Sequence, residues 1–66
     1  MTITHRSGAD LIEYRRTDDT NVFSLESRML HDDGSPFDDR WYPVSDWELT
    51  QLQTLGTGVV EALADA

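Results

Sequence analysis

The sequence predicts an α+β domain, a small antiparallel sheet of three or four strands packed against one C-terminal helix, and three observations carry that prediction. Residues 10–17 and 23–29 both alternate their side-chain character with the period of two that a strand imposes. Between them lies Asp18-Asp19-Thr20-Asn21, a run of residues whose short polar side chains bond their own backbone and favour a turn. From Ser45 onward the apolar residues recur at spacings of three and four, the period of a helix with one buried face. At 66 residues the whole chain, 1–66, reads as a single domain.

In chain order, Thr2 to His5 is short and β-prone, either a first strand or a loose terminus, and Ser7-Gly8 ends it. The next segment, Asp10 to Thr17, places Leu11, Glu13 and Arg15 on one face and Ile12, Tyr14 and Arg16 on the other, with Ile12 and Tyr14 facing inward. After the turn, Phe23, Leu25, Ser27 and Met29 share a face that reads as core, opposite Ser24, Glu26 and Arg28, so the two segments form a hairpin. His31 to Arg40 reads as a polar connection punctuated by Gly34 and Pro36. It leads into Trp41-Tyr42-Pro43-Val44, a short strand that Pro43 confines to a sheet edge. Ser45-Asp46-Trp47-Glu48 then has the form of a capping box, with Val44 placed to staple onto Leu49. One helix is expected from Asp46 to Ala64, its stripe made of Leu49, Leu52, Gly56, Val59 and Leu63 and widened by Leu55 and Val60. Gly56 and Gly58 each cost about 1 kcal/mol relative to Ala in a helix interior, which leaves room for a kink or two shorter helices. The two tryptophans are expected in the core beneath the helix, with one of Phe37 or Tyr42 partly exposed.

Charge narrows the function more than any motif does. Thirteen Asp and Glu stand against five Arg and no Lys, a formal charge of -8. The excess is uneven, because residues 31–66 hold Arg40 alone against eight acids. Nucleic acids and anionic membranes are attracted to basic faces, so direct binding to either is disfavoured. No stretch has the length of a signal peptide's apolar region or of a transmembrane helix. Without cysteine there is no disulfide framework. A cytoplasmic protein is expected, monomeric or weakly dimeric, since a chain this short draws only about 3–5 kcal/mol from one core and gains from a docked partner.

The residues that could carry catalysis are sparse. There is no nucleophile and base pair, and His5 and His31 read as isolated surface histidines. Neither a hydrolase elbow, a zinc-protease helix nor a phosphate-binding loop occurs, so no enzyme and no cofactor is expected. His31, Asp32, Asp33, Asp38 and Asp39 offer oxygen and nitrogen donors, but not in the order of a calcium-binding EF-hand loop, and no metal is expected. What remains is an acidic surface: Asp32, Asp33, Asp38 and Asp39 in the loop, with Asp46 and Glu48 in the first helical turn, form the candidate partner-binding set. Carboxylates several ångströms apart on a rigid domain can occupy a basic DNA-binding groove in place of phosphates, spaced about 3.4 Å along each strand.

A short, acidic chain without Lys or Cys, with a hairpin, an Asp-rich loop from His31 to Arg40 and a capped helix from Ser45, resembles the small phage anti-CRISPR proteins, particularly inhibitors of type I effector complexes. The resemblance lies in overall character, with no motif to transfer residue by residue. It implies stoichiometric binding to a type I surveillance complex or its nuclease, with type I-C favoured, often by occupying the positive surface that receives target DNA. A DNA-mimic inhibitor of another DNA-handling enzyme, such as uracil-DNA glycosylase or a restriction nuclease, would share this acidity. So would an acidic antitoxin or immunity protein, encoded beside its toxin, or a salt-adapted haloarchaeal protein.

Overall fold

The computed structural model of the protein describes residues 1–65. Four strands, β1 (Thr2–Ser7), β2 (Asp10–Arg16), β3 (Leu25–Leu30) and β4 (Tyr42–Pro43), form an antiparallel meander in the order β1-β2-β3-β4. Two helices, α1 (Asp46–Thr54) and α2 (Val59–Ala64), follow. The α+β class and the antiparallel sheet therefore stand as the sequence predicts, and the single helix from Asp46 to Ala64 does not, because it is two.

Register explains which side of the sheet is buried. Ile3 lies opposite Tyr14, Tyr14 opposite Ser27, and the Val44 N–H donates to the Leu25 carbonyl at 2.9 Å. These positions share the inner face. Tyr14, Leu25 and Val44 join Leu49, Leu52, Val59, Val60 and Leu63 in one buried cluster, against which Ile3 and Ile12 pack. α2 lies over β1 and β2, and α1 packs against α2. The expected inward pair on β2, Ile12 and Tyr14, is thus correctly placed, and β1 is a full strand running on to Ser7.

The helix divides at its glycines. Leu55 caps α1, and Gly56, at φ 66°, takes the left-handed conformation that an L-side chain resists. Its N–H donates to the Gln53 carbonyl at 3.1 Å and that of Thr57 donates to Leu52 at 3.2 Å, the two bonds of a Schellman stop. Gly58, also left-handed at φ 75°, then stands at the N-cap of α2. The reversal keeps Leu49, Leu52, Val59, Val60 and Leu63 on the core and leaves Leu55 71% exposed.

Two further expectations fail for local reasons. Phe23 is not a core residue of the second strand but sits in the turn, 48% exposed. The Asn21 side chain accepts its N–H at 3.0 Å, so Phe23 cannot donate to the ladder and β3 starts at Leu25. Neither tryptophan lies under the helices. Trp47 is 71% exposed on α1, and Trp41 lies across the outer face of the sheet. Phe37 and Tyr42 are both exposed, where one was expected.

A candidate protein-binding surface

The connection from His31 to Trp41 is a folded loop. His31 N–H donates to the Ser35 carbonyl at 2.7 Å, Leu30 bridges to Pro36, and the Phe37 N–H donates to the Met29 carbonyl at 3.0 Å. The rings of His31 and Phe37 stack with centroids 4.3 Å apart.

Within this loop two aspartates are fixed by the backbone they cap. Asp33 Oδ1 accepts the Ser35 N–H at 2.9 Å and the Ser35 hydroxyl at 2.6 Å. Asp38 Oδ1 accepts the Arg40 N–H at 2.8 Å, and Oδ2 accepts the Tyr42 hydroxyl at 2.9 Å. Hydrogen bonds to an ionised carboxylate favour that form. The Ser35 hydroxyl and N–H hold the Asp33 carboxyl below its ordinary value. The Arg40 N–H, then the Tyr42 hydroxyl, do the same for Asp38. Asp32 makes an exposed ion pair with Arg6 at 3.2 Å, and Asp39 is exposed.

Asp46 and Glu48 sit elsewhere. Ser45 Oγ accepts the Glu48 N–H at 3.2 Å, the first half of the expected capping box. The Glu48 carboxylate does not complete the other half; it faces the groove between α1 and the inner side of β1 and β2. The loop meets β3 at Met29 and the chain entering α1 meets it at Leu25, four residues away, about 13 Å at the strand rise. The six candidate residues therefore form an exposed loop group of four and a helical pair, in which Asp46 is exposed and Glu48 partly buried.

Sequence reasoning missed two features. The groove, of about 420 Å³, is lined by His5, Tyr14, Trp47, Glu48, Leu52 and Leu55 among others. Burial, followed by the charge of Glu48, raises the pKa of Tyr14 there. On the outer face, Arg28 pairs with Glu13 at 2.7 Å and Arg15 with Glu26 at 2.9 Å. Both guanidiniums lie over the Trp41 ring, 4.2 and 4.4 Å from its centroid. The signal for this cluster was present, since Glu13-x-Arg15 and Glu26-x-Arg28 in antiparallel strands place opposite charges across from each other.

Among the described residues no group of three His, Asp or Glu converges to hold a metal ion, and no helix is long and apolar enough to cross a membrane. No protein-family model, curated protein or solved structure matches the chain. Its functional reading therefore stands on the chemistry of its own residues.

Proposed function

We propose that the protein is an inhibitor of the anti-CRISPR kind, which binds a type I surveillance complex, type I-C foremost, and blocks target DNA by setting its acidic loop in the basic groove meant for phosphates. The observation that carries this reading is the charge of -8 together with the exposed, hydrogen-bonded carboxylates of Asp33 and Asp38. A carboxylate already fixed by its own backbone loses little freedom on docking. Its lowered pKa keeps it anionic through neutral and mildly acidic pH. Asp39 adds a further exposed carboxylate to the loop, Asp32 one that is paired with Arg6, and Asp46 adds charge from the start of α1. The groove-facing Glu48 contributes to the field from outside the loop.

The test is competition. A fluorescent target duplex bound to purified type I-C surveillance complex is titrated with the protein, and anisotropy reports release. Stoichiometric release is expected, weakening as salt rises. The variant carrying Asp→Asn at 32, 33, 38 and 39 keeps a side-chain acceptor for each turn while removing four charges, and it should fail to release the duplex. Release by that variant would overturn the mechanism. A duplex untouched by the wild-type protein would overturn the target and move the search to other DNA-handling enzymes or to a toxin partner.

A further inference from the structure

We infer that the groove between α1 and the β1–β2 hairpin is a second contact surface, one that seats an arginine side chain carried on an apolar segment of the protein partner. The inference rests on the proposed inhibitory reading for the existence of that partner, but it uses no residue of the acidic loop. Three observations define what the groove accepts. Trp47 and Leu55, each 71% exposed, stand on its rim, and tryptophan is enriched among the residues that anchor interfaces. The Tyr14 ring is buried to 4% exposure, and no described group bonds its hydroxyl, which opens on the groove. Glu48 is partly buried, and among the described residues its carboxylate has no cationic partner within ion-pair distance.

Two oxygen acceptors, an indole and an aliphatic wall match the parts of an arginine. Its planar donors reach both a carboxylate and a hydroxyl, its guanidinium stacks on an indole, and its methylene stem lies along Leu52 and Leu55. A volume of about 420 Å³ holds such a side chain with apolar neighbours. Charge complementarity selects the cation: no Arg lines the groove, and an apolar occupant alone would desolvate Glu48 without pairing it. This contact is mainly apolar and partly buried, so it holds at salt concentrations that screen the loop.

The probe is the peptide acetyl-Leu-Arg-Leu-amide, titrated into labelled protein at about pH 8. Saturable shifts are expected in the Trp47 indole N–H and the amides of His5, Gln51 and Thr57. The peptide with norleucine for arginine should bind about fivefold more weakly, and Glu48→Gln should weaken the arginine peptide by a similar factor. Trp47→Ala, at an exposed site, should abolish saturation while leaving amide dispersion intact. Equal affinity for the norleucine peptide, or shifts confined to the Asp32–Asp39 loop, would overturn the inference. Shifts of the groove resonances on raising the protein concentration alone would place a second copy there and would also overturn it. The loop variant with four Asn should bind the peptide unchanged, so loss of peptide binding and loss of DNA competition are read separately.

Discussion

Asp18, Asp33 and Asp38 each accept the N–H of the residue two positions on, and in the first two cases the hydroxyl of that residue as well. The turn at Asp18 was legible before the fold as a run of turn-forming residues, whereas Asp33 lay in a segment that reads only as a polar connection. All three carboxyls have pKa values lowered from the ordinary 3.8. A lowered folded-state pKa contributes stability that is present above the unfolded value and lost as pH falls through the folded one. Carboxyl-carbon titration should therefore show these three protonating below 3.8, with the turns intact at every milder pH. Midpoints at or above that value would mean that the turn bonds do not persist in solution. The ion pairs differ in the same local way. Arg28 and Glu13 are 25% and 15% exposed, whereas Arg6 and Asp32 are 48% and 86% exposed. Removing Arg28 strands a largely buried carboxylate and takes away one of the two guanidiniums over Trp41, so Arg28→Ala should cost about 2 kcal/mol. Arg6→Ala should cost under about 0.5 kcal/mol, because an exposed pair is screened by water. Urea denaturation of the two variants checks the ranking, and equal losses would contradict it.

At the scale of elements, local chemistry decided what periodicity could not. The apolar stripe from Leu49 to Leu63 is continuous in sequence, yet the left-handed φ of Gly56 and Gly58 folds it into two helices. Their glycine content was the readable warning; the direction of the break was not, because it depends on bonds from Gly56 and Thr57 back to Gln53 and Leu52. A Cβ added at Gly58 would meet nothing within 4 Å, so Gly58→Ala tests backbone conformation alone. It should cost about 1–2 kcal/mol, the strain of an L-residue at positive φ, whereas a gain in stability would show that α1 and α2 can fuse. At the other end of α1, Ser45→Ala removes the acceptor for the Glu48 N–H and should cost about 1 kcal/mol with partner binding unchanged. Phe23 was misassigned because a period of two fixes which residues share a face but not where a strand begins, and Trp41 because aromatic bulk does not say which face of the sheet it covers. The Asn21 side chain moved the start of β3 past Phe23, and Trp41, just before the two-residue β4, lies beside Arg15 and Arg28.

For the whole molecule, the helices cover one face of the sheet, the paired charges and Trp41 line the other, and the acidic loop projects from the end where Leu11 pairs with Leu30. The sheet class and the acidic loop were legible because both arise from local composition. The separation of Asp46 and Glu48 from the loop was not, because it follows from the path of the chain along β3. The proposed function places the binding energy in charge at the loop, the further inference adds apolar contact at the groove, and the two respond differently to salt. The decisive measurement is the affinity of the protein for a purified type I-C surveillance complex across a series of salt concentrations, compared with the variant bearing Asn at 32, 33, 38 and 39. The account predicts an affinity that falls steeply with salt for the wild-type protein and a weaker, flatter dependence for the variant. Identical salt slopes for the two proteins would contradict it, since the loop carboxylates would then take no part in replacing phosphate.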